Sequence, residues 1–438
     1  MPLHSPLNHL GVSLSGGGYR ASAFHLGTLR ALHKLGILER IDVLSTISGG
    51  SITGAAYCLH KGNYMAFEKE MIEKISTKNV IGHVLASRFF LQLALFTLVF
   101  LGTGIYLLFT AYAWAFLPLL GLWLFLLLRF QFRIFPAGRA IEEAYDKFYF
   151  KGATLNDLCR QPVLAIGSSN LQTGRPFSFS WRKMSDSTYA SFDPPIRFRQ
   201  RDFPVARAVT ASSCVPFAFT PVSIDEIFFE NKADFRRIDP KLIDGGVYDN
   251  QGIQKLTQQG SSYECRIIIT SDAGGRLSFD GRYGNTLSLL IRTVDLFMNR
   301  IKAFQMVENI YQNVGSVNKE IAYLSLGWDL ERCIPGFVDN MIKGLVTASV
   351  IEAHGFEPAW IRDPKAHRTE IEACLKERTD YASIVSRNLS AEELRAARST
   401  GTNLTPLLRE RIGLLASHAE NLTELQVKLY CPSLIFKS

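Results

Sequence analysis

Forty consecutive residues of this chain, Phe89 to Leu128, contain no charged side chain at all. Other absences narrow the reading further. The seven cysteines, at 58, 159, 214, 265, 333, 374 and 431, are widely spaced, with no C-x-x-C pair and no histidine cluster. That pattern offers neither a zinc site nor a disulfide framework, and it fits a reducing compartment. The opening MPLHSPLNHLG has neither the charged start nor the apolar core of a signal peptide, which argues against secretion. The charge balance is basic, 48 Lys and Arg against 40 Asp and Glu, a formal +8. The basic residues are nevertheless scattered, and the absence of a basic arm or nucleic-acid motif argues against a nucleic-acid partner. Anionic phospholipid headgroups suit such a surface better.

A glycine run is present, but without the companions a nucleotide site needs. Gly16-Gly17-Gly18-Tyr19-Arg20-Ala21 formally matches G-x-G-x-x-G/A between a strand and a helix. No Lys follows to make a phosphate-binding loop, and the next strand-like run, IDVLST, ends in ISGGS where a ribose-binding acid is expected. A tight turn without chemistry stays open on this stretch alone.

The uncharged stretch is twice the length of one crossing, since a bilayer-spanning helix takes about 20 residues. It reads as two spans with a tight turn, at Gly102-Thr103-Gly104 or at Thr110 to Ala113, with Pro118 bending the second. Buried core helices and a hairpin dipping into one leaflet are the alternatives. Lys69, Lys74, Lys78 and Arg88 precede the stretch and Arg129, Arg133 and Arg139 follow it, so the positive-inside rule keeps both flanks cytoplasmic. Around this insert, the apolar runs HLGVSL, IDVLSTI, PVLAIGSS and CRIIITSD alternate with helical patterns. That alternation predicts an α/β fold with a mostly parallel central sheet flanked by helices. Beyond residue 276 the pattern is mainly helical, with a strand at EIAYLSLG and a capping box from Ser390 to Glu393 before Gly401.

Two further stretches carry chemistry. LSTISGGSITGAAY is an apolar strand, a small-residue turn and a helix-compatible run, the layout that lifts a serine onto the carboxyl edge of a sheet. Ser48 is its centre, although Ser48 or Ser51 capping a helix explains the residues as well. LIDGGVYDNQG places Asp244 at a strand end beside Gly245-Gly246, where a carboxylate can be held near another loop; hairpin chemistry is the alternative. None of the nine histidines stands out as a base, and His25 on the first helix reads as a packed residue.

Taken together, Gly16 to Ala21, Thr46-Ile47-Ser48-Gly49-Gly50 and Asp244-Gly245-Gly246 resemble the patatin-like phospholipase family, with its boxes G-G-G-x-R-G, G-x-S-x-G and D-G-[GA] in this order. ARAVTASSCVPFAFTPV (206–222) and LAIGSSNLQTGRPFSF are similar to further segments of that family. Ala21 and Thr46 each stand where the family has glycine, and the hydrophobic insert is not part of its common pattern. The resemblance implies a Ser48–Asp244 dyad, an oxyanion hole from the amides of Gly16, Gly17, Gly18 and Gly49, a supporting Arg20, and no metal or cofactor. It implies a serine lipid acyl hydrolase with a lipid substrate, which the hydrophobic insert and its basic flanks make membrane-anchored with a cytoplasmic catalytic domain. An acyltransferase using the same acyl-enzyme, or an inactive lipid-binding scaffold, are the alternatives. The expected division is 1–88 and 129–345 for the catalytic domain, 89–128 for the hairpin insert, and 346–438 for a helical region packed on the same domain.

Overall fold

The computed structural model describes residues 8–217, 219–275, 283–308 and 319–436. Most of the N-terminal stretch from which secretion was argued against, residues 1–7, and Ala218 of the 206–222 segment lie outside the described residues.

Four strands form the parallel centre: β1 (Asn8–Leu14), β2 (Val43–Ile47), β8 (Cys265–Asp272) and β9 (Glu320–Ser325), joined through β2 to β3 (Val163–Asn170). Their apolar runs are continuous because helices cover both faces; Leu10, Val12, Leu14, Leu44 and Ile269 are wholly buried. The sheet then turns antiparallel through β4 (Arg175–Phe179) and β5 (Met184–Asp186), while β6 (Val222–Ser223) and β7 (Lys241–Asp244) attach to β3. The order is β5-β4-β3-β2-β1-β8-β9. The long parallel strands match the expected runs; β5 and β6, at three and two residues, are too short to carry a periodic signal.

Helix α1 (Gly18–Lys34) follows β1 directly, and α2 (Gly49–Leu59) follows β2. The C-terminal helix Arg409–Tyr430 packs along α1. Gly27 makes this approach possible, since a Cβ there would lie 1.9 Å from the carbonyl oxygen of Ala416. Glu420 fixes the pair further, accepting from Arg30 at 3.1 Å and Lys34 at 2.5 Å. The Ser390–Glu393 capping box forms as expected at the start of the helix Ala391–Arg398.

The uncharged stretch folds into two antiparallel helices, Arg88–Leu108 and Phe116–Ile134, each long and apolar enough to cross a membrane. Their apolar side chains are largely exposed, Leu98 and Leu117 among them, so core helices of a soluble domain do not describe them. Of the two expected turns, Thr110 to Ala113 is the one used. Gly102-Thr103-Gly104 stays helical, and Gly104 instead lets the Phe116 ring approach to 3.2 Å from where a Cβ would sit. Pro118 lies in the first turn of the second helix, where a missing N–H costs nothing, so it makes no bend. The interruption falls at Phe130, with φ −122° and ψ 17°. Among the flanking cations, Lys74 is buried against Glu70 and is not a free surface charge.

Candidate active site

Ser48 is the single residue between the end of β2 and the start of α2. Its backbone has φ 49° and ψ −116°, a conformation that L residues rarely occupy and that the surroundings must enforce. They do so through hydrogen bonds: the Ser48 N–H donates to Ser212 Oγ at 2.9 Å, and Ser48's carbonyl accepts from Ser51 N–H at 2.9 Å. Ser51 Oγ lies 3.1 Å from Thr46 Oγ1 and 2.9 Å from Ser212 Oγ. Ser51 therefore braces the turn from behind, wholly buried. The turn's neighbours are crowded: a Cβ at Gly49 would meet Gly18's carbonyl oxygen at 2.2 Å. Thr46, where the family has glycine, is accommodated from the helix side. A Cβ on Gly54 would lie 2.6 Å from the Thr46 methyl, so Gly54 leaves the room that Thr46 fills.

Strand register brings Asp244 to this turn. Ile47 pairs with Gly167 on β3, and where β2 stops β7 takes over the same edge, with Asp244 opposite Ser168. The residue after Ile47 thus meets the residue that ends β7. The Ser48 side chain lies beside the Asp244 carboxylate, and Gly246 N–H donates to Asp244 Oδ1 at 2.7 Å. Burial pushes the Asp244 carboxyl up to about 6, with the Gly246 hydrogen bond and the neighbouring Ser48 side chain opposing the shift. One short strap holds both groups. The helix Val205–Ser213 delivers Ser212, whose hydroxyl takes the Ser48 amide and whose carbonyl takes the Gly245 amide at 3.1 Å; Cys214's carbonyl accepts the Asp244 amide at 2.8 Å.

The glycine run does not contribute uniformly. Gly16's N–H donates to the Asn250 carbonyl at 3.0 Å, so this amide is occupied and cannot serve an oxyanion, contrary to the expectation from sequence. Asp249 secures that partner's loop by accepting amides of Gln251, Gly252 and Gln254. The amides of Gly17, Gly18 and Gly49, at two helix N-termini, make no backbone or side-chain hydrogen bond among the described residues. Gly18 has φ 58°, and a Cβ there would lie 2.3 Å from the Asn403 carbonyl oxygen, which also accepts the Tyr19 amide at 2.9 Å. Asn403, far along the chain, thus shapes the loop.

Gly16 to Gly18, Ser48 and Asp244 line one cavity of about 480 Å³, the size of small-molecule sites. Its walls are apolar at Ile81, Val215, Phe217 and Met298. Arg20 reaches the same cavity while its Nη1 donates to the Thr400 carbonyl at 3.1 Å, tying α1 to the C-terminal region. Burial lowers its pKa and Asp272 opposes that. No described histidine lines the cavity. His25 is fully buried, 2.9 Å from both the Ser15 carbonyl and the Ser271 hydroxyl, and burial lowers its pKa to about 4. Among the described residues, no cluster of three or more His, Cys, Asp or Glu could hold a metal.

A family model for patatin-like phospholipases matches residues 12–256, more than half of the chain, and spans both Ser48 and Asp244. The chain belongs to that family. Its membership makes it a lipid acyl hydrolase by class. Among solved structures, this patatin-like phospholipase is similar to VipD from Legionella pneumophila, at 12% identity over 96% of this chain and 92% of that one, with a TM-score of 0.33. It is also similar to human GIVD cytosolic phospholipase A2, at 12% identity over 98% of this chain and 63% of that one, with a TM-score of 0.48. A third match is ExoU from Pseudomonas aeruginosa in its complex with SpcU, at 15% identity, 97% and 71% coverage and a TM-score of 0.24. No curated protein matches the sequence.

The site residues that sequence reading missed act mainly through backbone. Asn250 and Asn403 give carbonyl oxygens, a role that leaves no signature in residue type. Ser212 was within a recognised segment, and its pairing with the elbow becomes visible only when the strands are in register.

Proposed function

We propose that this phospholipase is a membrane-anchored serine hydrolase of phospholipid or related lipid esters, acting through a Ser48–Asp244 dyad. The observation that carries the reading is Ser48 at a strained strand-to-helix turn, beside the Asp244 carboxylate and lining the same largely apolar cavity. Ser48 Oγ attacks the ester carbonyl as its proton passes to Asp244. The Gly17, Gly18 and Gly49 amides receive the developing oxyanion, each such donor being worth about 3 to 4 kcal/mol when removed. Collapse of the tetrahedral intermediate breaks the ester C–O bond, and Asp244 returns the proton to the departing alcohol. Water then gives its proton to Asp244 and attacks the acyl-enzyme, releasing the fatty acid and restoring Ser48. Arg20 braces the loop through Thr400 and sits where an anionic headgroup can approach.

The hairpin Arg88–Ile134 is the anchor in this reading, its exposed apolar surface matched to lipid. The parts of 1–88 and 129–345 outside the hairpin form the catalytic unit on the cytoplasmic side, and 346–438 complete it. The accommodation of Thr46 beside Gly54 favours an active hydrolase over a scaffold that has lost catalysis. The test is hydrolysis of phosphatidylcholine vesicles by reconstituted wild type and Ser48→Ala. Fatty-acid release that the substitution abolishes supports the reading; release that persists in Ser48→Ala overturns the assignment.

A further inference from the structure

The helix Thr286–Met306 forms one wall of the catalytic cavity through Ile291, Val294, Asp295, Met298, Asn299 and Lys302. It carries large apolar side chains on the side away from the cavity as well. At about 100° per residue, Leu289, Leu290, Leu296, Phe297 and Phe304 fall within one arc of about 120°. That arc faces outward, with Leu289 at 54%, Leu296 and Phe297 at 55% and Phe304 at 64% exposure. The opposite side faces the cavity with Ile291, Val294 and Met298 as well as Asp295, Asn299 and Lys302, and there the Lys302 ammonium pairs with the buried Asp272. A helix on a water-facing surface normally keeps its outward side polar. The helix contributes no apolar side chain to the core; Gln305 is its buried residue.

The outward arc is not isolated. Val215 and Phe217, both cavity-lining, are themselves exposed and extend the apolar rim. Ile81, on the helix Val80–Leu85, lines the cavity too, and that helix runs through Ser87 directly into the first hairpin helix at Arg88. The cavity is thus bordered on one flank by the root of the hairpin and on another by an apolar helix surface. Arg300 is exposed within the same outward arc, a position from which a long cationic side chain reaches lipid phosphates while its stem stays apolar.

We infer that the helix Thr286–Met306 is an in-plane membrane-docking helix, sinking its Leu289–Leu296–Phe297–Phe304 face into the phospholipid surface so that the cavity opens against lipid. The inference rests on the lipid-hydrolase reading of the cavity for its choice of partner. The occupant is the bilayer because a lipid ester entering this cavity arrives across that rim, and because an exposed apolar helix face in the interface plane is the form such docking takes. The cavity-lining side then stays with the protein, where Lys302 and Asp272 hold it. Phe297 and Leu296 do not line the cavity, so they report on docking without touching the dyad.

The experiment uses the full chain in vesicles of phosphatidylcholine and phosphatidylglycerol, with Phe297 replaced by photoreactive benzoylphenylalanine. Illumination is expected to give a peptide adduct carrying the mass of a phospholipid. An adduct to another segment of the chain, to a second copy, or to nothing overturns the inference. Alongside, Leu296→Asp with Phe297→Asp is expected to lower vesicle hydrolysis by about tenfold or more while hydrolysis of a soluble short-chain ester stays close to wild type. Equal loss on both substrates overturns docking in favour of a structural role. If wild type cleaves neither substrate, the hydrolase reading fails on its own, and the lipid adduct still decides the helix.

Discussion

In the proposed dyad, burial of Asp244 sets its part in the chemistry against its part in stability. Its carboxyl, raised to about 6 by burial, binds its proton more tightly in the folded protein than in the unfolded chain, where the ordinary value is 3.8. Between those two values the folded state carries the extra proton, so stability is full below the lower one and falls as pH rises through about 6, by up to about 3 kcal/mol for a shift of this size. Catalysis runs the opposite way, because only the deprotonated carboxylate can accept the Ser48 proton. The rate is therefore expected to fall about tenfold per pH unit below about 6. Asp244→Asn is predicted to lower turnover by about 10² to 10⁴ while raising thermal stability at neutral pH. Steady-state kinetics and calorimetry on the same preparation check both; a variant that loses activity and stability together would mean that Asp244 is structural. At this scale the turns that carry Ser48 and Asp244 were legible because they demand small residues around them. Gly16 was misassigned for a physical reason: three adjacent glycines look equivalent as letters, but one of the amides already meets the Asn250 carbonyl.

At the scale of elements, the hairpin is the part whose existence was plain and whose geometry was not. Forty uncharged residues leave no other length class, but glycine and proline inside an apolar helix do not punctuate it as they do in water. Gly102 and Gly104 stay helical, and the turn falls at Phe109 to Tyr112. The two roots are close enough to be joined: the Phe90 and Phe135 rings are 6.1 Å apart, and Arg88 pairs with Glu143 at 2.9 Å. Deleting 89–134 and closing the gap with a short Gly/Ser linker is predicted to release the protein from membranes. Soluble short-chain ester hydrolysis should survive and vesicle phospholipid hydrolysis should drop. Aggregation, or loss of activity on both substrates, would show instead that the hairpin is packed as part of the catalytic wall. The helix Thr286–Met306 illustrates the other limit of reading letters. Its helical pattern is visible in sequence, but which of its apolar side chains line the cavity and which face outward is not.

For the whole molecule, topology ties these pieces together. Ser48 precedes the hairpin, Asp244 follows it, and the two line one cavity, so the chain must leave and re-enter the α/β unit on one side. Two crossings satisfy that, as does a hairpin embedded from one face. The long parallel strands were readable because burial on both faces gives unbroken apolar runs; the short strands β5 and β6, and the close packing of the C-terminal helix on α1 through Gly27, were not, since they depend on partners distant in sequence. The central claim, that Ser48 is the nucleophile of a serine hydrolase, is tested most directly by fluorophosphonate labelling of the detergent-solubilised protein followed by peptide mapping. The account predicts one labelled serine, Ser48, with labelling absent in Ser48→Ala and retained in Ser51→Ala. Label that persists in Ser48→Ala and disappears in Ser51→Ala would contradict it.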